Sequence, residues 1–163
     1  MRIVINRAAL FDATALVGQA VAAKSTKRVF ECLRIVAKKG LLEIVGTDRE
    51  VAVRARIAEG VEIQREGEAV VPAALLASVL REIADERVSL SAEKQNLVMG
   101  TDGGAFTLEC VDPAEYPEIP AFPAAAWAVD AKDLVALIRK TTFAAGKEAA
   151  RFVLNGVRVI ASK

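Results

Sequence analysis

One block of this chain occurs twice, and no other feature of the sequence constrains its fold as much. RIVINRAALFDATALVGQAV (2–21) and AWAVDAKDLVALIRKTTFAA (126–145) share one plan: a short strand, a polar cap, then a leucine-rich helix. Val129 answers Ile5, Leu134 answers Leu10 and Ile138 answers Thr14, an offset of about 124 residues that points to an assembly of like units. The stretches that follow, AAKSTKRVFECLRIV and GKEAARFVLNGVRVI, correspond as well. A first domain is therefore expected over 1–122. The truncated start of a second is expected over 123–163, with the Pro-rich run DPAEYPEIPAFP (112–123) as the link.

Between the copies the patterning is mixed α and β. RIVIN (2–6) reads as a strand, and Asn6 can cap the helix that follows. Leu10, Ala13, Val17 and Val21 recur at helical spacing from Arg7 to Val21. AAKSTK (22–27) is a break. Strands are expected at 28–37, 41–46, 50–58, 68–72, 87–92, 96–101 and 105–111, most of them alternating apolar and polar residues. Lys38-Lys39-Gly40 is a tight connection, and Gly46-Thr47-Asp48 reads as a turn. Pro72 opens a second helix, 73–84, with Leu75, Leu76, Val79, Leu80 and Ile83 on one side. RFVLNGVRVIASK (151–163) reads as a strand from its β-branched residues. The fold class is α+β, with antiparallel sheets and two helices per domain on one face.

Composition narrows the function. Hydrophobic residues make up 53% of the chain, so it can bury a core. Its 22 basic and 21 acidic residues leave a net charge of +1, so any nucleic-acid contact must come from a local patch. There is no histidine, which removes Ser-His and Cys-His nucleophile pairs, a His base and His-containing metal sites. Two isolated cysteines, Cys32 and Cys110, cannot form a four-sulfur site. They read as small buried hydrophobes of a reducing cytoplasm rather than as a disulfide. No phosphate loop or paired-carboxylate motif appears, so no catalytic residue, metal or cofactor is expected and the chain reads as a non-enzyme. The apolar runs are shorter than the roughly 18 residues of a membrane span, so no membrane partner is expected. The first residues lack the pattern of a signal peptide, which adds to the expectation of a cytoplasmic protein.

The chain resembles the bacterial DNA polymerase III β subunit, the sliding clamp. The matching segments are LEIVGTDREVAV (42–53), VVPAALLASVLREI (70–83), FTLECVDPAEYPEIP (106–120) and TTFAAGKEAARFVLNGVRV (141–159), with the N-terminal strand and Leu10. The resemblance implies a DNA-clamp fold and a ring. Three such domains form a subunit, two subunits close head to tail, helices face duplex DNA and sheets lie outside. It implies a processivity factor for DNA replication. Its partners would be duplex DNA, DNA polymerase III and the clamp loader, and the full-length subunit would be a homo-oligomer.

The same resemblance assigns candidate residues. Lys24 matches a family arginine that touches DNA, in a segment where Lys24, Lys27, Arg28, Arg34, Lys38 and Lys39 face one acid, Glu31. Arg7, Arg81, Arg139 and Lys140 sit on or beside helices that would face the hole, and Arg151 keeps the family's R-x-x-L-N-G position. Phe106 and Leu108 match the edge strand that joins the next subunit. Leu154 matches one position of the polymerase-peptide groove, which this chain alone is not expected to carry. The first helix carries only Asp12 as a charge between Ala8 and Ala23, little for a wall facing phosphates. The chain is expected to be a fragment of a longer clamp. A natural short paralogue that finds its missing strands in another copy is the competing reading. A clamp-derived, self-associating interaction module without a DNA function is the alternative to a DNA clamp.

Overall fold

The computed structural model describes residues 1–93, 95–121, 128–146 and 152–160. The chain divides into two compact units, Met1–Ile119 and Pro120–Lys163.

The first unit is built from two interleaved halves. β1 (Arg2–Asn6) and α1 (Arg7–Gly18) lead into a meander of β2 (Cys32–Lys38), β3 (Leu41–Thr47) and β4 (Ala52–Ile57). After β5 (Val61–Arg65) the plan repeats. β6 (Gly67–Pro72) and α2 (Ala73–Glu82) lead into β7 (Arg87–Glu93), β8 (Asn96–Thr101) and β9 (Gly104–Glu109). Each half lends its first strand to the other half's meander. β1 pairs with β7, and β6 with β2, giving one sheet β5-β1-β7-β8-β9 and a second β4-β3-β2-β6. All pairings are antiparallel. The fold class is α+β, as the sequence implied.

Alternation explains the strands. Ile3 and Ile5 of β1, Val88 and Leu90 of β7, and Leu97 and Met99 of β8 all face one core. Leu33, Ile35, Leu42, Ile44 and Val71 join it from the second sheet. The helices close it with Leu10, Ala13 and Val17 of α1 and Leu76 and Leu80 of α2, and the two helices pack on each other. A smaller cluster forms where Tyr116 lies against Val29, Cys32 and Val70, with Phe30, Val111 and Ile119 around it. The first part of the expected link is therefore a strap docked on this unit.

Three expectations change. Residues 28–31 form a 3₁₀ turn, and β2 starts only at Cys32, because Val29 turns into the Tyr116 cluster instead of joining the ladder. β5 was not expected, and it pairs with β1 along the edge of the first sheet. The expected strand over 151–163 does not form among the described residues. A 3₁₀ turn spans Phe152–Leu154, and 157–160 run without ladder partners.

In the second unit, α3 (Ala131–Thr141) is capped by Asp130, whose carboxylate accepts from the Lys132 N–H at 2.8 Å and the Asp133 N–H at 3.4 Å. None of its residues is buried. Ala126 and Trp127 of the expected preceding strand lie outside the described residues, and 128–130 are irregular.

Candidate nucleic-acid interface

The loop after α1 is a built structure. Asn6 starts the helix by accepting the Ala9 N–H at 3.0 Å. The turn beyond Gly18 is closed by Ala20 N–H to the Val17 carbonyl and Ala22 N–H to the Phe30 carbonyl, each at 3.0 Å. Glu31 turns back to accept the Ser25 N–H at 2.6 Å, and the Ser25 hydroxyl accepts the Lys27 N–H at 3.2 Å. The one acid of the segment is thus spent on shaping the loop. Lys24 and Lys27 stand exposed on it without an ion pair among the described residues.

The other basic residues of the segment do not gather with them. Arg28 forms an ion pair with Glu109 of β9 at 3.0 Å. Arg34 holds Glu68 through two N–H groups, at 2.8 and 2.6 Å. Lys38 ends β2 and Lys39 follows it, about 20 Å along a seven-residue strand from the loop. What reads as one charge run is a short exposed pair, two neutralised arginines and a distant turn.

The helix layer adds little positive charge. Arg7 is half-buried and donates to the Leu80 carbonyl at 3.1 Å, satisfying an acceptor in the last turn of α2. Arg81 is exposed on α2 without an ion pair among the described residues. The exposed residues of α1 are Ala8, Asp12, Ala15 and Leu16. In the second unit, Arg139 and Lys140 are exposed in the last turn of α3, where positive charge also complements the helix terminus. Leu154 is exposed on its 3₁₀ turn. Arg151 lies outside the described residues.

Phe106 and Leu108 share a face but not an environment. They stand opposite Met99 and Leu97 on β8. Leu108 is 1% exposed inside the core, whereas Phe106 is 43% exposed at its rim. β9 is the last strand of its sheet, so its outer backbone edge has no strand partner among the described residues.

Sequence reasoning missed one cation. Arg49, in the β3–β4 turn, places its guanidinium 5.7 Å from the centre of the Phe30 ring. Phe30 belongs to the same loop as Lys24 and Lys27. The available signal was weak: a basic residue after Asp48, in a turn whose approach to the loop only the fold reveals.

Comparison with known proteins fits this architecture. The family model for the DNA polymerase III beta subunit, N-terminal domain, matches residues 1–120. A beta sliding clamp of Streptomyces coelicolor is 29% identical over 159 residues, 98% of this chain and 42% of that protein. That of Halalkalibacterium halodurans is 26% identical over 165 residues, 96% of this chain and 43% of that protein. A crystal structure of a sliding clamp from Bartonella birtlesii bound to griselimycin superposes with a TM-score of 0.88 at 27% identity, covering 96% of this chain and 42% of that one. The β subunit of Streptococcus pyogenes, at 20% identity and a TM-score of 0.89, supports the fold alone. The chain thus spans less than half the length of these relatives. The two interleaved halves and two helices of its first unit, and the match over residues 1–120, place the chain in the DNA polymerase III β-subunit family, the bacterial sliding clamps.

Proposed function

We propose that this chain supplies the N-terminal domain and the opening of the central domain of a DNA-encircling processivity clamp, and that Lys24 and Lys27 are its principal contacts to duplex phosphates. The observation that carries the reading is their position. They are exposed, and without an ion pair among the described residues, on a loop whose shape is fixed by Glu31 and Ser25. Arg28 is held by Glu109 and serves as a reserve charge. Arg81, Arg139, Lys140 and Arg151 are weaker contributors of the same kind. A topological grip does not need many phosphate contacts, which suits a helix layer as nearly neutral as this one.

In this reading Phe106, at the free edge of β9, meets the next subunit of the ring, and Leu108 supports it from the core. Leu154 contributes one side of a polymerase-binding groove that further domains complete. DNA polymerase III and a clamp loader are the expected partners, and replication in the cytoplasm the setting. No helix among the described residues is long and apolar enough to cross a membrane. The role is a non-catalytic one.

The test is binding of the whole chain to a short duplex, followed by fluorescence anisotropy between low and moderate salt. Binding should be weak and should fall with salt. Replacing both Lys24 and Lys27 with Ala should reduce the slope of log K against log salt by about two. A slope unchanged by the double replacement would overturn the assignment of these lysines.

A further inference from the structure

We infer that Arg49, held over the ring of Phe30, is a third phosphate-binding residue of this surface, prearranged for the backbone of a nucleic acid. The inference rests on the DNA reading above and adds a residue to it that neither the charge run nor the family resemblance indicates.

The turn that carries Arg49 is braced on every side. The Thr47 hydroxyl donates to the Val51 carbonyl at 2.8 Å and accepts the Arg49 N–H at 3.0 Å. The Asp48 carboxylate accepts the Glu50 and Val51 N–H groups at 2.9 and 2.8 Å. These contacts hold Arg49 at a φ of +88°, a conformation that a side-chain-bearing residue adopts at a cost. Glycine would fit this turn without strain, yet the position carries an arginine.

The Arg49 guanidinium lies over the Phe30 ring, 5.7 Å from its centre, within cation–π range. The guanidinium carries five N–H donors in a planar fork, the set that binds a phosphate in bidentate fashion. No carboxylate pairs with Arg49 among the described residues. The flanking Asp48 is committed to backbone N–H groups, and Glu50 is exposed beside it.

Phe30 connects this cation to the lysine loop. Its N–H donates to the Lys27 carbonyl at 3.1 Å and its own carbonyl accepts from Ala22. The ring is half-buried against the Tyr116 cluster, so it is a fixed platform. Phe30 is therefore tied to the lysine loop through its backbone and to Arg49 through its ring.

The experiment is a titration of the full 163-residue chain with a short duplex at low salt, read by anisotropy and by amide and Arg Nε–H chemical shifts. Arg49→Gly removes the guanidinium at a φ that glycine accepts, so the protein should stay folded with an unchanged or raised Tm. Affinity should fall severalfold and the salt slope by about one, the signature of a lost phosphate contact. Phe30→Leu keeps the charge and most of the apolar volume. It should keep the slope, weaken binding and abolish the shift of the Arg49 Nε–H. If Arg49→Gly binds as the parent does while the Lys24 and Lys27 replacements weaken binding, the Arg49 inference is wrong and the DNA reading stands. If the parent chain shows no salt-dependent binding, both fall together. A fall in Tm without a change in slope assigns Arg49 to a surface staple and likewise overturns the inference.

Discussion

Tyr116 is 6% exposed, and its hydroxyl donates to the Val45 carbonyl at 3.0 Å. Burial pushes its phenol up to about 12 from an ordinary 10, and burial likewise pushes the Cys32 thiol up to about 11 from 9. Both groups are held neutral in the fold. Because the folded values lie above the unfolded ones, their contribution is complete below pH 9. It is lost as pH rises, between about 9 and 11 for Cys32 and about 10 and 12 for Tyr116. Thermal melts should therefore show a Tm that falls above about pH 9. Tyr116→Phe should cost about 1 kcal/mol at pH 7 and make the upper part of that decline shallower. Gly46 answers a second question at this scale. A Cβ there would sit 2.8 Å from the Val17 carbonyl oxygen and from methyl groups of Val17 and Val21. The glycine of Gly46-Thr47-Asp48 is thus required by the close approach of α1 to β3, and the turn itself belongs to Thr47 and Asp48. Gly46→Ala should destabilise by about 1–3 kcal/mol in urea unfolding, as overpacking does. Thr14 gives the opposite sign. Its hydroxyl is buried without a hydrogen-bond partner among the described residues, so the near-isosteric Thr14→Val should raise Tm.

At the scale of elements, what sequence could read was periodicity, and periodicity alone does not name neighbours. Strands with a buried face were legible because their alternation is a burial pattern: Ile3 and Ile5, Leu33 and Ile35, Leu97 and Met99. α1 was legible from the cap at Asn6 and the spacing of Leu10, Ala13 and Val17. The 3₁₀ turn at 28–31 was not, because Val29 keeps the same alternation while packing on Tyr116, a residue far along the chain. β5 offered Val61 and Ile63 two apart, a signal too short to separate from loop until β1 supplies a partner. The run 157–160 shows the reverse error: β-branched residues without a ladder among the described residues. The interface suffered from the same blindness. Sequence distance grouped Arg28, Arg34, Lys38 and Lys39 with Lys24, but Glu109, Glu68 and the length of β2 separate them. Arg49 lay outside the charge run because its link to the loop is an aromatic ring.

At the scale of the molecule, the two units differ in how much each closes on itself. Met1–Ile119 draws a single core from both sheets and both helices, and its strands satisfy one another through every internal ladder. The strap ending at Ile119 seals its second cluster with Tyr116. Every residue buried below the surface belongs to this unit, among the described residues. In Pro120–Lys163, by contrast, Val135, Leu137 and Ile138 of α3 are 46%, 60% and 44% exposed, and Phe143 is 83% exposed. Cooperative stability follows buried apolar area, so it should reside almost wholly in the first unit. A chain ending at Ile119 should melt in one transition within a degree or two of the 163-residue protein, a small shift for a domain of this size. In the full chain, hydrogen exchange should find β1, β2, β7 and β8 protected to the level of global unfolding and α3 exchanging by local opening. A truncation that lowers Tm by about 5 °C or more would show that the second unit contributes packing to the first and that the division at Ile119 is not an energetic one.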